Sequence, residues 1–336
     1  MSGGVDSTVA AMLALRGGFD CAGAIMKLHP YGSAAEADAR YAAARLGLPF
    51  HVFDFSDSFK TCVIDRFVRA YREGRTPNPC VECNKYIKFG CLLEKAGELG
   101  KNFIITGHYA QIEQNASGRF LLKKGIDPSK DQSYVLYGLT QDQLARVIFP
   151  LGGLTKEQVR ESAYESGLIE PGRRESQDIC FIPGGDYAGY IEKYTGKPAV
   201  KGRFIDTDGK ELGENRGIIY YTVGQRRGLG LSTQNPVYVL EIRPEDDTVV
   251  VGANDLLYSQ TLIIKDINLI PADRLDSPIK AYVKIRYNQP GQPASVRQTG
   301  DDTIRIDFDK PQRAIAKGQA AVIYDGEAVI GGGTIV

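Results

Sequence analysis

The sequence predicts an α/β fold: a doubly wound parallel sheet in residues 1–196, a small β-rich central domain over 197–258 and a C-terminal β-barrel over 259–336. Three observations carry this expectation. Up to about residue 196, short apolar runs alternate with segments of helical period, as in a parallel sheet covered on both faces. Beyond it the helical period fades, and short β-rich segments divided by Gly, Asp and Pro take over. Asp208-Gly209 and Asp325-Gly326 then supply hairpin signals, one in each β-rich part.

The elements follow in order. SGGVDS, residues 2–7, runs into TVAAMLALRGG, a helix with Val9, Met12 and Leu13 facing inward. CAGAIMKL reads as a buried strand, AAEADARYAAARLG as a helix stopped at Gly47, and FHVFDF as a strand. In DSFKTCVIDRFVRAYREG, the residues Val63, Ile64, Phe67, Val68 and Tyr71 share one helical face, and Gly74 is the stop. NKYIKFGCLLEKAGELG reads as a further helix and NFIITGHYA as a further buried strand. TKEQ, at 155–158, is a capping box that opens one more helix. IIYYTVGQRRGLGL reads as a Gly-rich connection with a basic tip.

Composition narrows the class. The 336 residues are 43% hydrophobic and 24% charged, as in ordinary soluble globular proteins of more than one domain. No apolar run approaches the roughly 18 residues of a membrane span, and no Lys/Arg-led apolar segment opens the chain, so a cytoplasmic location without a membrane partner is expected. In that reducing compartment, six cysteines are expected to be catalytic, metal-binding or buried, not disulfide-bonded. The 41 basic and 41 acidic residues cancel. The basic ones are bunched at Arg72/Arg75, Lys85/Lys88, Arg173/Arg174, Arg226/Arg227 and Lys284/Arg286, which suits either a local phosphate-binding surface or ordinary solvated faces.

SGGVDS carries the first chemistry. Gly3 and Gly4 let backbone N–H groups approach an anion, Ser2 and Ser7 add hydroxyls, and the following helix adds its positive dipole end. No Lys follows the glycines, so this is not a P-loop. It resembles the S-G-G-x-D-S pyrophosphatase loop of enzymes that adenylate a carbonyl oxygen and expel pyrophosphate. Such a loop is expected after the first, central strand of the sheet, yet only Met1 precedes it here. The expectation is a natural chain with further apolar residues upstream.

Cys80-x-x-Cys83 has three readings: a redox pair, half a zinc site, or catalytic thiols. No second C-x-x-C completes a zinc site, and the local sequence differs from thioredoxin-type motifs. Catalysis needs a partner thiol, and RRESQDICFI offers Cys180. Cys21, in the apparent first strand, and Cys62 and Cys91, on helices, read as packing residues.

Taken in order, SGGVDS, GRTPNPCVECNKYIKF, ITGHYA, KDQSY, SQDICFI, YYTVGQRRGLG, KIRYNQP and GQAAVIYDGE resemble the bacterial tRNA-specific 2-thiouridylases over nearly the whole chain. The resemblance implies an ATP-dependent sulfurtransferase, with Mg2+ accompanying ATP, that replaces O2 of the wobble uridine of tRNA (Lys, Glu and Gln types) with sulfur. It implies a cysteine desulfurase or sulfur-relay protein as donor. It places Ser2, Gly3, Gly4, Val5, Asp6, Ser7, Met26 and Gly107 at ATP. Asn78, Pro79 and Cys80 are placed at the target base, and His108, Lys130, Asp131, Gln132, Arg286, Tyr287 and Gln319 at tRNA. Cys180 is implied to carry the persulfide and Cys83 to be the nucleophile that attacks it or closes a disulfide with Cys180. Lys85, Lys88 and the helix N-terminus are expected to lower the Cys83 pKa.

Many members of that family have Asp where this chain has Cys80, which leaves the general-base role open. One alternative makes Cys80 a thiolate substitute. The other makes Cys80, Cys83 and Cys180 ligands of a [4Fe–4S] cluster. Outside this family, an adenylating ligase with the same loop and an RNA-binding module with a cysteine-bound metal are the competing readings.

Overall fold

The computed structural model describes residues 1–29, 33–167 and 179–336. Arg173, Arg174 and the polar turn before Cys180 lie outside them. The loop helix is Val5–Arg16, with Gly4 at its N-cap. Strand β1 (Gly23–Lys27) pairs in parallel with β2 (Phe50–Asp54) across the helix Ser33–Arg45. Strand β3 (Ile104–Ile105) pairs in parallel with β6 (Val147–Ile148), and no ladder joins the two pairs among the described residues.

NFIITGHYA is not one strand. It ends as parallel strand at Ile105 and resumes as β4 (Ala110–Gln114), which forms an antiparallel hairpin with β5 (Phe120–Lys124). Between them the backbone of Gly107 passes so close to Asp6 that a Cβ would stand 2.7 Å from the Asp6 carbonyl carbon. The second expected feature to shift is the helix after the prolines. It begins at Pro79, not Asn84: Pro79–Glu82 is α-helical, Cys83–Cys91 π-helical and Leu92–Glu98 α-helical again. Pro suits the first turn because its missing N–H is an orphan there, and the Asn78 side chain accepts from Cys80 N–H at 3.2 Å. Cys21 also shifts: it precedes β1 and is only half-buried.

The face expected on residues 56–72 forms. Val63, Ile64, Phe67, Val68 and Tyr71 are all buried. This rod is α-helical at Ser56–Phe59, π-helical at Lys60–Ile64 and α-helical at Asp65–Arg72. The capping box at 155 is complete, with Thr155 and Gln158 bonding reciprocally at the start of helix Lys156–Glu165.

The central module is a four-stranded sheet of order β8-β7-β10-β9, from β7 (Gly202–Ile205), β8 (Glu211–Asn215), β9 (Tyr238–Arg243) and β10 (Thr248–Gly252). The C-terminal strands are β11 (Tyr258–Leu269), β12 (Ile279–Lys284), β13 (Gln292–Gly300), β14 (Thr303–Arg313), β15 (Ala320–Asp325) and β16 (Ala328–Ile335). Their order β11-β14-β13-β12-β15-β16 closes through β11–β16 pairing into a six-stranded barrel. The β4–β5 hairpin of the first half adds to this sheet at β16, through Ala328 and Lys123.

Two hydrophobic cores meet at the helix over 79–98. On one side Cys83 and Ile87 join Phe59, Phe67 and Phe181 with Phe204, Val239 and Val249 of the central sheet. On the other, Val81, Phe89 and Leu93 join Tyr134, Leu136 and Tyr137 with Val322, Tyr324 and Val329 of the barrel. Gln141 ties this second junction: it accepts from Phe120 N–H at 2.9 Å and donates to Phe120 O at 2.9 Å and Ile270 O at 3.0 Å. Gln141→Leu removes those partners from half-buried backbone groups. We expect a loss of about 2 kcal/mol in urea unfolding, from the desolvation of unpaired polar groups.

Candidate active site

The SGGVDS loop, residues 2–7, is tightly constrained. Gly3 has φ +72, and a Cβ there would stand 2.6 Å from the Asp38 Cβ, so both the turn and the space require glycine. Ser7 Oγ accepts from Ser2 N–H at 3.0 Å and donates to Gly4 O at 3.1 Å, closing the loop on itself. The helix start has no side-chain cap, so its first N–H groups point at the space in front of the loop. Asp6 turns inward. Its Oδ1 accepts from Tyr109 Oη at 2.8 Å and from Lys156 Nζ at 2.6 Å. Met26 lies half-buried on β1.

Residues 106–109 run between this loop and Lys88. Gly107 packs on the Asp6 backbone and Tyr109 bonds its carboxylate, while His108 between them reaches the other way. His108 Nε2 lies 3.4 Å from Lys88 Nζ, and Nδ1 lies 2.6 Å from Thr106 Oγ1. Lys88 can only donate, so Nε2 accepts and the ring proton sits on Nδ1, facing Thr106. Burial, and then the Lys88 charge, hold the His108 pKa well below its ordinary value, so the ring is neutral. His108 and Asp131 are buried and act from behind the surface. Asp131 Oδ1 accepts from Ser133 N–H at 3.0 Å, and Gln132 Oε1 accepts from Tyr109 N–H at 3.0 Å. Lys130 is half-buried.

The three thiols share one neighbourhood. Phe181 is buried edge-on against Phe59 at 5.6 Å and Phe67 at 5.5 Å between ring centroids, which anchors the adjacent Cys180. Charge on Cys180 and Cys80 is felt at Cys83, and charge on Cys80 is felt at Cys180. Lys88 is the cation common to all three. Cys80 and Cys180 are solvent-accessible and Cys83 is buried, and all six cysteines are free.

The expected depression of the Cys83 pKa is overturned. Burial pushes this thiol up to about 11; the pull of Lys88 is the smaller effect, and the neighbouring thiols oppose it. Cys83 also lies beyond the first turn of its helix, where the dipole field fades. Although both reach solvent, the surrounding protein partly desolvates the Cys80 and Cys180 thiols and raises their pKa as well. Cys80 is thus no ready general base here. Among the described residues, no three His, Cys, Asp or Glu side chains converge to hold a metal ion.

Barrel residues cover the same ground. Tyr287 senses charge on Cys80 and packs edge-on to Tyr134 at 5.9 Å, with Lys284 Nζ 5.9 Å from the Tyr287 ring. Gln319 Nε2 donates to Thr76 O at 2.9 Å, and Thr76 N–H donates to Lys317 O at 2.8 Å, clamping the turn before Asn78 and Pro79. Arg286 donates to Ala314 O at 2.8 Å, beside Gly224 of the central basic loop. Sequence reasoning missed Tyr109, Phe181 and Lys156. The first is a polar aromatic in an apparent strand, the second a Phe among many, and the third hides inside a capping box.

A raised thiol pKa makes the thiolate fraction of Cys83 climb with pH. Alkylation of Cys83 by iodoacetamide, followed by peptide mass spectrometry, is expected to accelerate about tenfold per pH unit between about pH 7 and pH 10. A rate already level by about pH 8 would contradict the burial effect.

Residues 1–184 match the family model described as tRNA methyl transferase HUP domain, 188–253 the tRNA methyl transferase PRC-barrel domain, and 259–335 the aminomethyltransferase beta-barrel domain. The chain is 46% identical to the tRNA-specific 2-thiouridylase MnmA of Clostridioides difficile (strain 630), over 100% of this chain and 96% of that protein. It is 45% identical to the protein of the same name from Lachnoclostridium phytofermentans, over 100% of this chain and 98% of that one. The Carboxydothermus hydrogenoformans protein of that name is likewise 45% identical, over 100% of this chain and 96% of its own length. With three consecutive domain matches and identity of this level along the whole chain, the protein belongs to the tRNA-specific 2-thiouridylase family.

Proposed function

We propose that this protein is an ATP-dependent tRNA sulfurtransferase that converts the wobble uridine to 2-thiouridine. One observation carries the reading: four consecutive residues, 106–109, touch the SGGVDS loop on one side and, through His108, Lys88 on the other, the cation whose charge is felt at all three thiols. An activating nucleotide and a sulfur carrier are thereby served from one peptide. The names of the relatives supply the substrate class, a tRNA uridine.

In this reading ATP lies on the loop formed by Ser2, Gly3, Gly4, Val5, Asp6 and Ser7, with Met26 and Gly107 beside it and Mg2+ arriving with the nucleotide. Uridine O2 attacks the α-phosphorus; an O–P bond forms, the α–β bridging bond breaks, and pyrophosphate departs with the electron pair. A relay protein or desulfurase loads Cys180 as a persulfide. Cys83, once deprotonated, attacks the Cys180 sulfur; a disulfide forms and hydrosulfide leaves, adds to C2 and expels AMP. A cellular thiol then reduces the disulfide. Because Cys83 starts protonated, the step needs a proton acceptor or a lowered pKa in the loaded complex. Displacement of water by tRNA near Lys88 strengthens the attraction between that cation and a thiolate.

Asn78, Pro79 and Cys80 sit at the helix start where the flipped base would lie, at an unstacking cost of about a few kcal/mol. Tyr287, with Lys284 and Arg286, offers stacking and phosphate contact. Lys130 and Gln319 complete the proposed tRNA side, with His108, Asp131 and Gln132 positioning it from beneath. No helix among the described residues is long and apolar enough to cross a membrane, and tRNA as substrate accords with work in the cytoplasm.

The test is thiolation of tRNA in vitro with ATP, a persulfide donor and a thiol reductant, read by retardation in an organomercury gel. Asp6→Asn is expected to lower thiolation by about two orders of magnitude while tRNA binding persists. Cys180→Ser and Cys83→Ser are expected to abolish persulfide-dependent thiolation. ATP–pyrophosphate exchange that depends on an amino acid and ignores tRNA would favour the ligase reading instead.

A further inference from the structure

A pyrophosphatase loop differs from a P-loop in having no lysine after its glycines. In this protein a lysine reaches the loop from elsewhere in the chain. Lys156 opens the helix Lys156–Glu165, and its side chain is only 7% exposed. Its backbone N–H donates to Asp127 Oδ2 at 2.9 Å, and the capping box of Thr155 and Gln158 fixes the turn that carries it. From there the side chain runs inward to place Nζ 2.6 Å from Asp6 Oδ1 and 5.8 Å from the Tyr109 ring centroid. Burying an ammonium group costs several kcal/mol unless a charge or strong acceptor meets it. Here the Asp6 carboxylate meets it, and that pairing brings a buried cation to the phosphate loop.

We infer that Lys156 is the cation of the phosphate loop: it holds Asp6 in the free protein and neutralises the pyrophosphate that leaves when the uridine oxygen is adenylated. The inference rests on the adenylating reading above and deepens it. Attack by O2 on the α-phosphorus transfers the bridging oxygen's electron pair to pyrophosphate, and the uridine N3 proton passes to water as the neutral adenylate forms; no redox partner is required. The added negative charge appears in front of Gly3, Gly4 and the helix N-terminus. There the Lys156 ammonium stabilises it more in the transition state than in bound ATP. Such a role lowers kcat when removed and leaves nucleotide binding nearly intact.

The experiment uses the full chain with tRNA and ATP, measuring pyrophosphate release and thiolation. Binding of α,β-methylene-ATP, which cannot release pyrophosphate, is measured in parallel, with a thermal melt for each variant. For Lys156→Gln we expect kcat for tRNA-dependent pyrophosphate release to fall about 10²–10³-fold. Analogue binding is expected to stay within about threefold of wild type. Lys156→Arg keeps the charge, and its rate is expected to fall by less than about tenfold. A folded Lys156→Gln with unchanged kcat, or with its loss confined to KM and analogue binding, overturns the inference. Should Lys156→Gln fail to fold, a fall of more than about a hundredfold in folded Lys156→Arg overturns it equally. If wild-type protein releases no pyrophosphate with tRNA, the adenylating reading itself has failed, and that outcome is distinct from both.

Discussion

The burial of one helix on two sides is the constraint on which this structure depends. The helix over 79–98 offers Cys83 and Ile87 to the core shared with the central sheet, and Val81, Phe89 and Leu93 to the core shared with the barrel. A regular α-helix drifts in phase along its length; the π-helical stretch Cys83–Cys91 widens the turn and alters which side chains face each core. With both faces committed, the helix cannot shift without disturbing three domains. Its first turn, carrying Asn78 to Cys80, is held at the open end by Gln319 and Lys317 of the barrel.

That burial sets the electrostatics of the thiols. Removing Cys83 from water penalises its charged form more than Lys88 favours it, so the thiol waits in its protonated state. Lys88 also faces neutral His108, which adds no competing positive charge to the cluster. At the other end of the 106–109 peptide the balance is reversed: the Asp6 carboxylate and Lys156 meet as a close pair within the protein. One region thus holds neutral groups, and the other holds a charge pair.

Much of this was legible in the sequence where function rests on local chemistry. The phosphate loop announces itself because its glycines, hydroxyls and helix start lie within a few residues, and the capping box at Thr155 and the face of residues 56–72 are equally local. The helix start at Pro79 was misplaced because two prolines and two cysteines look like a turn, although Pro is welcome in a first helical turn. NFIITGHYA read as one strand because its apolar run is continuous. At the break the Gly107 backbone packs on Asp6, which is distant in sequence.

By itself, then, the sequence determined the class of fold and the family, and it marked SGGVDS and the three thiols as candidates. Each of these rests on residue type and short-range order. Tertiary structure alone decided that Phe181 is anchored on Phe59 and Phe67 beside Cys180, that Lys156 pairs with Asp6 across 150 residues, and that the Cys83 pKa rises instead of falling. The physical reason is common to all three. Burial and charge pairing depend on what surrounds a group in space, and neighbours contributed by remote segments leave no local pattern in the chain.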